Sequence, residues 1–278
     1  MKANKRQSVK GKWSVVVFCA AVMLACLLIG VMVAYNKLRD LYLEQCVIVD
    51  VTRQVKISSG KMVKASLVAE EFGLRNGANL GLIDYDEKRR AILKKIPNIR
   101  SIKVTRHLPD KVTIEVEERR PEVRMNVVGQ RKETVRVADA DGMVFRCQRD
   151  TAVLPIVREH REKVTGIGSE LKGRSLAALR LLEVAKAGDA AEGVSVKLGI
   201  LEVDVSKPDY LLATLGDYSN AKIAWDGMDQ PTEANQVNLE KRLKMLRDTL
   251  KVASRTGIRV WNATLDDRVF ADRKEPLQ

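Results

Sequence analysis

The chain has 278 residues, a hydrophobic fraction of 45%, an aromatic fraction of only 4% and a formal net charge of +13 at pH 7. Its length suits a small set of domains. No nucleic-acid module and no aromatic-interleaved basic motif accompanies the charge, so no nucleic-acid partner is expected. Two histidines and four cysteines, widely scattered, give no ligand cluster for a metal.

The first twelve residues carry Lys2, Lys5, Arg6, Lys10 and Lys12 and no acid. Trp13 to Tyr35 then runs without a charge. A helix of that length rises about 35 Å, enough to cross a hydrocarbon core of about 30 Å. Trp13 and Tyr35 stand at its ends, where amphipathic rings favour the interface. The apolar run is longer than the core of a signal peptide, and no small-x-small cleavage site follows. We therefore expect a basic cytoplasmic tail over 1–12, an uncleaved span in the lipid bilayer over 13–35, and the remainder on the outer side. Residues 36–45 are a linker, either one or two further turns of helix or irregular chain. Beyond the tail the chain stays net basic, which suits an anionic surface such as lipid headgroups or wall polymers, or simply a solvated face.

Residues 46–120 read as one small two-layer domain. Val47, Val49 and Val51 alternate as a short strand. Ser58 or Ser59 caps a helix to about Phe72, with Met62, Val63, Leu67 and Val68 at core spacing and Gly73 as its stop. Asp84 caps a second helix to Lys95, with Ala91, Ile92 and Ile96 facing inward. A hairpin follows. Ile102 and Val104 alternate with Lys103 and Thr105, and Val112, Ile114 and Val116 alternate with Thr113, Glu115 and Glu117. Leu108-Pro109-Asp110 makes the turn, and Pro121 ends the second arm.

This β-α-α-β-β order resembles a POTRA domain. The wording of the hairpin is similar to that of the FtsQ/DivIB family of bacterial cell-division proteins. The pattern is carried by Ile96, Pro97, Ile99, Ile102, Val104, Arg106, Leu108, Pro109, Asp110, Val112, Ile114, Val116, Glu118, Arg119 and Pro121. Upstream, Arg53 stands where the family often has a glycine.

Residues 121–270 read as a β-rich domain ending in a helix plus a strand. Strand-like runs lie at Val123–Val128, Thr134–Ala138, Met143–Arg146 and Val153–Val157. Asp139-Ala-Asp-Gly142 fits a hairpin turn better than a calcium loop, whose remaining ligands are missing. Val137–Phe145 and Leu154-Pro155 resemble the family's strands after POTRA. Ser175–Lys186 is a helix with Leu176, Leu179, Leu182 and Val184 to bury and Gly188 as its stop. Strands return at 194–196, 201–205, 210–215 and 221–225. Leu239, Leu243, Leu246 and Leu250 then form one helical stripe that packs on the sheet, with Gly257 beyond it. A final strand runs from Ile258 to about Leu265 and on through Val269 and Phe270, and 271–278 is a charged tail.

The fold expected is α+β: one N-terminal transmembrane helix, a POTRA-like domain and a β-rich domain. No catalytic residue, cofactor site or metal site is expected. GxSxG, SxxK, HExxH and P-loop patterns do not occur. Glu117 and Glu118 lie on opposite faces of one strand. Cys46 and Cys147 are read as buried single thiols, with a disulfide between them in an oxidising compartment as the alternative. The resemblance implies a bitopic scaffold of the divisome, located at the division septum in the inner membrane, that binds FtsB and FtsL and helps control septal peptidoglycan synthesis. It further implies that FtsB docks on the last strand by strand addition. By position, the contact residues are then Thr264, Leu265, Asp267, Val269 and Phe270. The Asn262-Ala263-Thr264-Leu265 stretch departs from the family's "Asp-Leu-Arg-Tyr"-like wording. Two other readings compete, a membrane-anchored cell-wall enzyme and a POTRA-bearing secretion or assembly factor. The enzyme lacks a recognisable nucleophile, and the secretion factor lacks the chain for a barrel.

Overall fold

The computed structural model describes residues 7–127, 136–148, 151–161, 163–225, 227–230, 232–252 and 259–272. Lys2, Lys5, Arg6, Val128, Thr134, Gly257 and Ile258 lie outside these. The chain forms two compact units that interleave along the sequence. One takes in Met1–Ser58, Ala65–Arg89 and Lys103–Glu115, and the other Ser59–Lys64, Arg90–Ile102 and Val116–Gln278.

The first unit begins with α1 (Gln7–Gln45). Among the described residues it is the one helix long and apolar enough to cross a membrane, and none of its apolar window within Val17–Gln45 is buried in protein. Residues 36–45 continue it without a break, so the linker is helical. Its end is clamped to the loop at 76–82. Asn79 Nδ2 donates to Leu43 O at 2.8 Å, and Leu80 N to Cys46 O at 2.9 Å. Ile48 N donates to Ala78 O, and Gly77 N returns a bond to Ile48 O, both at 2.8 Å.

The valine alternation at 47–51 does not give the expected strand. Asp50 instead caps α2 (Val51–Gln54): its Oδ1 accepts from Thr52 N and Thr52 Oγ1. Those bonds hold the Asp50 carboxyl below its ordinary range. Gln54 Oε1 accepts from Val49 N and Asp50 N, which takes two donors that a strand would need. The strand comes later, as β1 (Val55–Ser58). Ser58 is therefore a strand residue and not a helix cap, and α3 (Ala65–Phe72) starts six residues after Ser59. Val68 and Phe72 are buried, whereas Leu67 is exposed. Gly73 ends the helix at φ 76°, a conformation that a side chain disfavours. Asp84 caps α4 (Tyr85–Lys95) through bonds from Asp86 N and Glu87 N, as expected. On α4 Ile92 is buried and Ala91 is exposed, and Ile96 just past its end is half-buried.

The hairpin is β2 (Ile99–His107) and β3 (Lys111–Glu118). With β1 they form a sheet in the order β1-β3-β2, in which β1 pairs β3 in parallel. The period-2 reading holds: Ile102, Val112, Ile114 and Val116 are buried while Lys103, Glu115 and Glu117 are exposed. Gln54 Nε2 donates to Asp110 Oδ2 at 3.1 Å and thereby ties the turn to the α2 segment.

The second unit is built on a nine-stranded mixed sheet. Its strands are β4 (Val123–Val127), β5 (Arg136–Ala138), β6 (Val144–Arg146), β7 (Ile156–Glu159), β8 (Glu202–Asp204), β9 (Leu211–Thr214), β10 (Asn220–Ile223), β11 (Val260–Ala263) and β12 (Phe270–Ala271). They run in the order β12-β11-β10-β9-β8-β7-β4-β5-β6. Residues 194–196 form no strand. Asp139 and Gly142 close the β5–β6 hairpin, where Met143 N donates to Asp139 Oδ1 at 2.8 Å. Two helices, α5 (Gly173–Ala190) and α6 (Glu233–Val252), cover one face. Their Leu179, Leu181, Leu239, Leu243, Leu246 and Leu250 share a core with Met125, Val157, Val203, Ile223 and Trp261 from the sheet. Leu182 is buried with them, and Leu176 and Val184 are half-buried at the margin.

Gly188 does not stop α5, which continues two residues past it. A Cβ there would stand 2.5 Å from Arg247 Nη2. The glycine admits the α6 guanidinium, which donates to Ala185 O at 3.0 Å and Asp189 Oδ1 at 2.9 Å. Asp189 also accepts from Leu198 N and Gly199 N, so one carboxylate joins both helices to the following loop. Glu118 does similar work elsewhere, accepting from Met62 N and Val63 N. Cys46 and Cys147 are both free and buried.

Ile114 has no solvent exposure. Ile114→Asp would bury a carboxylate with no partner of its own and should cost several kcal/mol. A marked fall in melting temperature is the expected result; an unchanged melting curve would contradict this inward face.

Candidate functional site

A sheet has two edges, and the backbone decides which of them is open. At the β6 end, Val144 N donates to Ser169 O at 2.9 Å and Gly168 N to Val144 O at 2.8 Å. Leu171 N donates to Gly142 O at 2.8 Å, and Asn98 Nδ2 to Arg146 O at 2.6 Å. The 168–171 segment thus covers that edge. At the other end, no strand among the described residues pairs with the outer side of β12.

The open edge is a short hairpin. Asn262 ends β11: its Oδ1 accepts from Thr264 N at 3.1 Å and Thr264 Oγ1 at 2.7 Å, which bends the chain. The loop 264–269 then brings β12 back antiparallel, with Trp261 opposite Ala271 and Asn262 opposite Phe270. Asp272 N donates to Val260 O at 2.9 Å. Hydrogen-bonded and non-bonded pairs alternate in such a ladder, so Ala271 directs its N–H and C=O away from β11.

Two ion pairs position this hairpin. Arg242 of α6 bonds Asp266 in the loop and donates to Ala224 O at 3.0 Å. Lys222 Nζ reaches Asp272 Oδ2 at 3.0 Å, and its ammonium lies 5.3 Å from the centre of the Tyr210 ring. Lys222 and Asp272 are both largely covered, so that pair is screened less than a surface pair, whereas Asp266 is exposed.

The five candidate contact residues divide. Leu265 and Phe270 are exposed, at 43% and 42%. Asp267 is exposed and pairs only with its neighbour Arg268 among the contacts described. Thr264 is half-buried with its hydroxyl given to Asn262. Val269 is half-buried and packs on the core, as does Ala271. Sequence position alone did not single out Ala271, Arg242 or Lys222. The 3.6-residue period of α6 placed its leucines inward, yet nothing local tied Arg242 to a loop 24 residues later.

The strand register adds a row across the sheet face opposite α5 and α6: Asn126, Arg158, Asp204, Leu212, Lys222, Asn262 and Phe270. Most of the row is polar, and it ends in an exposed aromatic. The other buried acid, Glu159, is held by Thr165, Ser175 and Arg136. Among the described residues no group of three or more His, Cys, Asp or Glu stands close enough to hold a metal.

Residues 52–119 match the family described as POTRA domain, FtsQ-type. The chain carries an FtsQ-type POTRA domain. The chain is also 26% identical over 170 residues to the cell division protein FtsQ of Koribacter versatilis (strain Ellin345). That alignment covers 60% of this chain and 46% of the relative, so it spans about half of the relative's length. Together the two findings show a likeness to the FtsQ/DivIB family. The apolar helix α1, with this family likeness, points to a single-pass membrane protein.

The exposures of the edge give a direct comparison. Trp261→Ala, in the core, should lose about 3–5 kcal/mol. Phe270→Ala, on the surface, should lose well under half of that. Thermal unfolding of the two variants reads the difference, and equal losses would place Phe270 in the core.

Proposed function

We propose that the chain is a non-catalytic, bitopic scaffold of the bacterial divisome, with its N-terminus in the cytoplasm and its folded units outside. In this reading it gathers at the septum, captures FtsB, and with it FtsL, and so helps control septal peptidoglycan synthesis. The observation that carries the reading is the open edge at β12. Ala271 offers a backbone donor and acceptor there, flanked by exposed Leu265 and Phe270. A partner segment adding as a strand gains main-chain bonds from the edge and apolar anchoring from those two side chains. The basic N-terminal residues before the span favour the N-in orientation.

Two substitutions test the edge. Ala271→Pro removes the outward N–H while leaving the donors that face β11. One lost hydrogen bond corresponds to about 2- to 10-fold in affinity, and the proline ring adds a steric barrier. Phe270→Ala should weaken binding by 10-fold or more if the ring is a central anchor. Binding of purified FtsB to the full-length protein in nanodiscs is the measurement. Parental affinity in both variants would move the docking surface elsewhere.

A further inference from the structure

The end of the first unit nearest the membrane helix carries exposed apolar groups that its own fold does not need. Leu108, at the tip of the β2–β3 hairpin, is 67% exposed. Leu38 and Leu41 on the last turns of α1 are also exposed, on helix beyond the charge-free run. Basic groups flank them: Arg106 and Lys111 beside the tip, and Lys37 and Arg39 on α1. The acids nearby are partly engaged. Asp110 accepts from Gln54, and Glu115 pairs with Lys103 at 3.7 Å. Asp40 and Glu44 on α1 partly offset the basic groups.

The clamp of α1 on the 76–82 loop makes the helix and this end of the unit one piece, with no slack chain between them. Tyr35 closes the charge-free run, and Tyr42 lies seven helical residues, or about 10 Å, further on. The headgroup layer accounts for about 5–8 Å of that distance. Arg106 lies near the end of α1: its guanidinium is 5.6 Å from the Tyr85 ring centre, Tyr85 Oη donates to Leu80 O at 3.3 Å, and Leu80 N donates to Cys46 O at 2.9 Å. Leu108 follows two residues later, and Gln54, which bonds Asp110 on the other side of the turn, also donates to Val47 O just past α1, so the turn lies beside the end of α1.

We infer that the hairpin tip is a second membrane contact. Leu108 enters the outer face of the bilayer beside α1, and Arg106 and Lys111 bind anionic phospholipid headgroups. Long basic side chains reach down to phosphate while a leucine takes the interface, and each basic group near an anionic surface adds about 1 kcal/mol. The occupant is lipid because α1 brings the bilayer to this face in every copy of the chain. The contact fixes how the unit stands on the membrane. The inference rests on the reading of α1 as a span, and co-flotation of the protein with vesicles checks that reading separately.

The test uses the full-length chain in vesicles of phosphatidylcholine with or without phosphatidylglycerol, with nitroxide-labelled lipid as quencher. Leu108→Trp reports the tip, and Val153→Trp, at a position 96% exposed in the second unit, is the control. At least twofold stronger quenching at 108 than at 153 is expected, together with a fall on Arg106→Glu plus Lys111→Glu or without phosphatidylglycerol. In the unaltered chain, amides 106–111 should exchange several-fold more slowly in the anionic vesicles. Equal quenching at both positions with unchanged exchange would overturn the contact and leave the tip to a protein partner. Quenching that ignores both charge changes would overturn the headgroup assignment.

Discussion

The backbone hydrogen bonds of the two outermost strands of the nine-stranded sheet set what the second unit can bind. Every N–H and C=O of a strand needs a partner or water. At β6 that need is met within the chain, by Ser169, Gly168 and, at its end, Asn98. At β12, among the described residues, it is met on one side only. The asymmetry turns a sheet that would otherwise pair at either end into one with a single direction of growth. Arg242–Asp266 and Lys222–Asp272 tie the open hairpin to α6 and β10, which in the proposed reading prepares the edge before a partner arrives.

The two units use polar contacts in the same manner, as fasteners between segments far apart in sequence. Gln54 joins the α2 segment to the hairpin turn, Glu118 holds Met62 and Val63, and Asp189 gathers α5, α6 and the loop at 198–199. Each side chain satisfies backbone donors or a guanidinium that burial would otherwise leave without water. Burial of the leucines of α5 and α6 supplies the larger driving force. The fasteners decide the register in which that burial happens.

Much of this was legible in the sequence wherever a period repeats. The hairpin's alternation and the leucine stripe of α6 each gave the correct inward face, because several residues reported the same geometry. Short signals failed. The valines at 47, 49 and 51 looked like a strand, but Asp50 and Gln54 captured the local donors first. Gly188 looked like a helix stop, but its role is steric and depends on Arg247, 59 positions away. The edge was anticipated from the place of the last strand in the chain. That the strand folds back at Asn262, and that Ala271 faces outward, follows from tertiary pairing that no local pattern encodes.

The claim that partners add to β12 is tested most directly by amide hydrogen exchange of the full-length protein in nanodiscs, with and without FtsB. Strand addition predicts that the Ala271 amide, which faces away from β11, becomes protected on binding. Amides on β6, already bonded within the chain, should change little. Protection confined to another surface, with Ala271 exchanging as fast as before, would contradict the account.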